Sequence, residues 1–277
     1  MGFNIVRPST KSELFSIMEN RNYTILAGGT DLFVKLKKDL IDVDCLVDIR
    51  DVIDGPAIQD DTHQVTINAT ATHQELATSS LIQTEFPVLV QAADSVGGTQ
   101  IRNMGTVGGN ICNGSPSADT LLALYLLDAQ LSIVGVNGEQ TLPIADFIIG
   151  PGEAQLTCGE YLENIALPKL TGEYKQYFRK VGRRKALDIS VCSMGYLLKT
   201  EDGIVKDFRL AYGAVAPTVL RIPRAEERLV GKKLTREAVE DCKKYVSETI
   251  SPISDIRGSA KYRKTVSLRL LEELLEE

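Results

Sequence analysis

Apolar positions in the first fifty residues alternate between two rhythms. Thr10-x-x-Glu13 has the spacing of a helix capping box, and Leu14, Ile17 and Met18 follow three and four apart, as one face of a helix requires. NYTIL (22–26) reads as a short strand, Gly28-Gly29 as a turn, and Leu32, Phe33, Leu36 and Leu40 as a second helical face. DCLVDI (44–49) reads as the next strand, and Gly55-Pro56 closes this first lobe.

A second lobe begins in QVTINAT, where Val65, Ile67 and Ala69 alternate with polar residues as in a half-buried strand. Thr72-x-x-Glu75 starts a helix, and FPVLVQAADSV (86–96) reads as another. TVGGNICNGSPSADT (106–120) is too rich in glycine and small polar residues for a core and reads as a loop, with LLALYLL behind it as a helix. AQLSIVGV and EQTLPI pair as a hairpin around Asn137-Gly138, and YLENIALP ends the lobe as a strand at Pro168.

From Tyr174 the pattern changes. EYKQYFRKVG, ISVCSMGYLLKT and IVKDFRLAYGAV are three strand-like runs, the last two joined at Asp202-Gly203. Ala238, Val239, Cys242, Tyr245, Val246 and Ile250 then repeat at helical spacing, and a Leu-rich helix follows from about residue 260. Strands followed by helices make this an α+β chain. Residues 1–170 form one domain of two lobes (1–55 and 56–170), and residues 171–277 a second.

Composition narrows the chemistry more than the fold. The 277 residues are 43% hydrophobic and 25% charged, an ordinary globular mixture, and the net charge of -6 argues against nucleic acid as a partner. Lys175, Arg179, Lys180, Arg183, Arg184 and Lys185 form one basic segment, read first as a solvated strand and turn. Five dispersed cysteines (45, 112, 158, 192 and 242) without a CxxC indicate reduced thiols and argue against an iron–sulfur or zinc site held within the chain. His63 and His73, the two histidines, are expected at the surface, and a Ser-His-Asp triad has few candidates. The N-terminus lacks the apolar core of a secretory signal, Val6 stands where a myristoylation signal wants Ser or Thr, and no apolar run reaches the ~20 residues of a membrane span. A cytoplasmic protein is expected, with neither membrane nor nucleic acid as partner.

Two glycine segments carry the candidate chemistry. In ILAGGTDLF (25–33) a strand enters, Gly28-Gly29 turns, and Thr30 or Asp31 starts a helix, so backbone N–H groups can face a phosphate without a Cβ in the way. Asp31 is expected to turn toward the helix as its N-cap, leaving Gly28, Gly29 and Thr30 to the ligand. TVGGN (106–110) is the second segment, with Gly97-Gly98 before it and Asp119 beyond, a carboxylate suited to a ribose or ribityl hydroxyl. Neither G-x-G-x-x-G nor G-x-x-x-x-G-K-[ST] occurs, which weakens Rossmann and P-loop readings. Two such segments from separate lobes point to an elongated ligand held between them.

AGGTDL followed by TVGGN-x-x-x-x-S-P-x-x-D resembles the FAD-binding medium subunit of the molybdenum hydroxylases, the group of xanthine, carbon monoxide and nicotinate dehydrogenases. RNMGTVGGNI and FRKVGRRKALDIS strengthen the likeness, which extends over nearly the whole chain. It implies a two-lobed FAD-binding domain of the PCMH/vanillyl-alcohol-oxidase type, followed by a smaller α+β domain of three strands and then helices. It implies FAD contacts from Leu26, Ala27, Gly28, Gly29, Thr30, Asp31 and Leu32, and from Thr106, Val107, Gly108, Gly109, Asn110 and Asp119. Gly97, Leu162 and Lys180 match less regular contact positions. A cation at Lys180 near the flavin ring would stabilise negative charge on it, a role for which Arg179 competes. The cysteine-rich insertion by which some relatives bind a four-iron cluster is missing, and Cys112 reads as a small filler.

The resemblance further implies an oxidoreductase subunit that takes electrons from the two-iron clusters of a small subunit and passes them to an acceptor such as NAD. A molybdenum-cofactor-binding large subunit would oxidise the substrate. No general acid or nucleophile is needed, in keeping with the scarcity of histidine. Two alternatives stand beside it: a separate FAD-dependent oxidoreductase of the same superfamily, and a non-catalytic assembly protein that has lost FAD.

Overall fold

A computed structural model describes residues 3–20, 22–184 and 187–276. Lobe one contains β1 (Asn4–Val6), α1 (Lys11–Asn20), β2 (Tyr23–Leu26), α2 (Leu32–Lys37) and β3 (Cys45–Asp48), with the strands parallel in the order β1-β3-β2. The Glu13 N–H donates to Thr10 Oγ1 (3.2 Å), while the Glu13 carboxylate accepts from the Ser9 N–H (2.8 Å), so both partners of the expected box act as caps. Central β3 is buried at every residue. Its alternating side chains separate two cores: Cys45 and Val47 join the main core with Leu14 and Met18, whereas Leu46 packs with Leu26, Leu36 and Val43. Helix α2 is shorter than its spacing suggests. It ends before the left-handed Asp39 (φ 53°), which leaves Leu40 exposed, and Phe33 is exposed as well.

Lobe two begins with β4 (Ile58–Asp60) and β5 (Gln64–Asn68) and continues through six short helices. These are α3 (His73–Thr78), α4 (Ser80–Glu85), α5 (Pro87–Asp94), α6 (Thr99–Met104), α7 (Val107–Asn113) and α8 (Asp119–Leu126). β6 (Gln130–Gly135), β7 (Gly138–Pro143), α9 (Ile144–Phe147), β8 (Ile148–Gly150), β9 (Glu153–Ala154) and β10 (Glu160–Pro168) complete it. Five strands form an antiparallel sheet in the order β4-β5-β10-β6-β7, and β8 pairs with β9 apart from it. Thr72 and Glu75 make both hydrogen bonds of a capping box. The β6–β7 hairpin closes with Gly135 opposite Gly138, so its loop is Val136-Asn137, one residue earlier than expected.

The second domain is built from β11 (Lys175–Val181), β12 (Cys192–Glu201), β13 (Ile204–Gly213) and β14 (Leu220–Arg221) in one antiparallel sheet. Helices α10 (Pro223–Leu229), α11 (Arg236–Thr249) and α12 (Ala260–Leu270) cover it, and a 3₁₀ turn (Leu271–Leu275) ends the chain's regular structure. β14 and α10 are additions to the expected three strands and two helices. Asp202 and Gly203 are both left-handed (φ 51° and 74°), the geometry of a two-residue hairpin turn.

Helix α8 lies where the two domains meet, and all eight of its residues are buried. Its Leu122 and Leu126 press on β12 at Gly195, where a Cβ would stand 2.7 and 2.9 Å from their methyl groups. The guanidinium groups of Arg209 and Arg221 donate to the carbonyls of Leu126 (3.0 Å) and Tyr125 (3.1 Å) at the end of this helix. Cations there answer both the unpaired carbonyls and the helix dipole.

Candidate functional site

A cavity of about 760 Å³ opens between the two lobes of the first domain. One wall comes from lobe one, residues 22–25 and 27–32 with Lys35 and Ile49. The other comes from lobe two: Ala69, His73, Val96, Ile101, most of the segment 105–113, and residues 156–158 and 160–162. The lobes also touch at one end, where the Gly159 N–H donates to the Tyr23 hydroxyl (2.7 Å).

Lobe one presents a turn rich in free donors. After β2 the chain bends at Gly29 (φ 69°), a left-handed position that favours glycine. Among the described residues, the backbone N–H groups of Gly28, Gly29, Thr30, Asp31 and Leu32 have no protein acceptor. Donors of that density on a cavity wall suit anionic oxygens. Asp31 departs from its expected role. Its backbone is already helical, its side chain makes no cap bond, and its carboxylate pairs instead with Lys35 Nζ (2.9 Å). Lys35 also donates to Asn113 Oδ1 (2.6 Å), reaching from α2 across to α7.

Lobe two presents a helix where a loop was expected. Thr106 is the N-cap of α7, its Oγ1 accepting from the Gly109 N–H (3.1 Å). The neighbouring amides are committed as well: Val107 donates to the Ala71 carbonyl, Gly108 to that of Ala69 (2.8 Å each), and Asn110 to that of Thr106 (3.0 Å). Two glycines mask this helix in the sequence, because glycine is a poor helix former, while the cap and the fit against Ala69 fix it in the structure. What α7 offers the cavity is the exposed Cα surface of Gly109 and the Asn110 side chain, with the buried Gly108 also in the wall. The Thr120 hydroxyl donates to Asn110 Oδ1 (2.7 Å), which turns the amide so that Nδ2 remains for the cavity.

Eleven of the expected contact residues line the cavity: Ala27, Gly28, Gly29, Thr30, Asp31, Leu32, Thr106, Gly108, Gly109, Asn110 and Leu162. Leu26 and Val107 are buried behind it as packing for the two segments. Gly97, half-buried and left-handed (φ 50°), is not among the lining residues; Ile101, which a Cβ on Gly97 would meet at 2.9 Å, is. Asp119 and Lys180 are not among the residues that line the cavity, and they hold each other at 2.6 Å. Asp119 also accepts from Ser190 Oγ (2.6 Å), and Lys180 Nζ donates to the Ser95 carbonyl (3.0 Å). Burial pushes the Asp119 carboxyl upward, against the pull of Lys180 and Ser190. This pair ties α8 to β11 across the domain boundary. Arg179 is exposed, Arg183 and Arg184 bond the carbonyls of Ile256 (3.0 Å) and Leu187 (2.6 Å), and Lys185 lies outside the described residues.

His73 is the main residue that sequence reasoning missed. It is 3% exposed, not at the surface, and it lines the cavity. A polar residue just after a helix cap ordinarily faces water; here its N–H donates to the Gly105 carbonyl (3.0 Å), which brings the ring against Gly105. Burial, with Arg102 nearby, lowers its pKa to about 4 and keeps it neutral. Cys112 lines the cavity as a thiol, pushed up to about 12 by burial, which removes it as a nucleophile.

Residues 1–170 match the family described as the FAD-binding domain in molybdopterin dehydrogenase, and residues 176–277 match the carbon monoxide dehydrogenase flavoprotein C-terminal domain. The glyceraldehyde dehydrogenase medium chain of Sulfolobus acidocaldarius is 32% identical over 95% of this chain and 94% of its own. The xanthine dehydrogenase FAD-binding subunit of Escherichia coli O157:H7 is 30% identical over 98% and 94%. Among solved structures, carbon monoxide dehydrogenase from Hydrogenophaga pseudoflava superposes with a TM-score of 0.93 at 28% identity, covering 99% of this chain and 96% of that one.

Proposed function

Since the chain belongs to the family of FAD-binding subunits of molybdenum hydroxylases, we propose that it carries electrons between two partner subunits and a soluble acceptor. The partners are a small subunit with two-iron clusters and a large subunit with the molybdenum cofactor; the acceptor is NAD, and the complex is cytoplasmic. Among the described residues no helix is long and apolar enough to cross a membrane, which suits that setting.

The observation that carries the reading is the run of five amides, Gly28 to Leu32, that have no protein acceptor among the described residues and belong to one wall of the cavity, with the exposed Gly109 on the other. That donor set fits an elongated cofactor with a diphosphate at its middle. Gly28 to Leu32 would hold the phosphate oxygens, Asn110 Nδ2 would add a donor from the opposite wall, and Leu162, Tyr161 and Ile101 would cover apolar ring surface. FAD bound there supplies one- and two-electron redox chemistry. The chain's residues bind and orient it and exclude water, and none need act as acid or nucleophile.

Gly109→Val tests the site. Gly109 is accessible, and a Cβ there meets only Thr106 Oγ1, at 2.9 Å. Valine is tolerated in a helix better than glycine, so the variant should fold. The expected result is loss of FAD retention in a protein that still folds and melts cooperatively, its melting temperature lowered by no more than loss of the Thr106 cap would lower it. A folded Gly109→Val protein that keeps full flavin occupancy would overturn the assignment.

A further inference from the structure

The ring of His73 sits beneath the point where the two glycine segments meet. A Cβ on Gly105 would stand 3.2 Å from Thr30 Oγ1 and 3.3 Å from His73 Cδ2, and one on Gly28 would reach the Gly105 Cα at 2.9 Å. Thr72 and Thr106 form a bridge beside it, so the imidazole is fixed to the start of α7 by its own backbone.

Nδ1 is shut away from solvent with no hydrogen-bond partner. A buried N–H without an acceptor is among the least tolerated groups in a protein, whereas a bare lone pair is less costly. The proton of the neutral ring therefore belongs on Nε2. Nε2 is not enclosed in the same way and has no protein partner among the described residues, so it opens on the cavity that His73 lines. A donor is thus held, uncharged and unpaired, between the two cradles.

We propose that His73 Nε2–H is a positioning donor for bound FAD, hydrogen-bonded to an acceptor oxygen in the stretch of the cofactor between the two glycine segments. The proposal rests on the FAD reading above. It assigns a task to a residue outside both glycine motifs.

The test uses the full chain, freed of flavin and titrated with FAD by fluorescence, as wild type, His73→Leu, His73→Gln and His73→Asn. Wild-type protein that fails to bind FAD would defeat the functional reading itself. Given wild-type binding, His73→Leu should weaken FAD affinity by roughly tenfold or more, the scale of one hydrogen bond to a phosphate or ribityl oxygen. Its flavin-free melting temperature should hold or rise, because the substitution also removes an orphaned polar atom. His73→Gln, whose amide reaches the place of Nε2, should restore most of the affinity. His73→Asn, whose amide reaches only as far as Nδ1, should not. Unchanged affinity in His73→Leu would overturn the proposal, including when its melting temperature falls, since His73 is then a packing residue. Should the leucine variant not fold, equal affinities for the Gln and Asn variants would overturn it.

Discussion

The two glycine pairs look alike in sequence and divide their labour in the same order, yet they serve the cavity differently. In each pair the first glycine lets two pieces of backbone approach: a Cβ on Gly28 would stand 2.0 Å from the Met104 carbonyl oxygen, and one on Gly108 2.6 Å from that of Ala69. The second is free of backbone contact. Gly29 is there for its positive φ, and Gly109 leaves open surface. The difference lies in the amides, unpaired after Gly28 but bound within the protein around Gly108. One pair supplies donors and the other supplies clearance. A double-glycine motif therefore does not by itself say which way its N–H groups are spent.

Substitutions should separate these roles. Gly28→Ala carries the largest expected effect, about 3 kcal/mol or more of stability, because the Cβ meets backbone that cannot move without parting the lobes. Thermal melting of flavin-free protein checks it, and a melting temperature equal to wild type would break the comparison. A second effect of similar size is pH-dependent. His73 titrates near 4 in the folded chain against about 6.5 unfolded, with burial and Arg102 as the causes. The unfolded chain therefore binds more protons between these values, and stability falls as pH drops from 6.5 to 4, by about 3 kcal/mol. His73→Leu should flatten that part of the melting-temperature profile. Thr106→Ala follows, at about 1 kcal/mol for loss of the α7 cap, with FAD affinity reduced as Gly109 loses its anchor.

What the sequence made legible was local. The Thr72–Glu75 box, the alternation of Val65 and Ile67, and the two glycine pairs each depend on neighbours within a few residues, and each appears where expected. The readings that needed correcting depend on distant partners. TVGGN becomes helical because Ala69 and Ala71 accept its amides, and His73 is buried because Gly105 accepts its own. Local pattern also gives no sign that Asp119 pairs with Lys180, sixty-one residues away. Asp31 went astray for a smaller reason: Lys35, one helical turn away, offers its carboxylate a cation.

Helix α8 follows directly on the segment that faces the cavity, and it is clad on one side by the first domain and on the other by β12 and β13. Cutting the chain near residue 170 would bare Leu122 and Leu126 and strip the arginine donors from the carbonyls of Tyr125 and Leu126. The cofactor-binding half moved alone is therefore expected to melt at a lower temperature than the full chain. Exchanged between relatives, the two halves are expected to keep their stability when moved together and to lose part of it when moved apart.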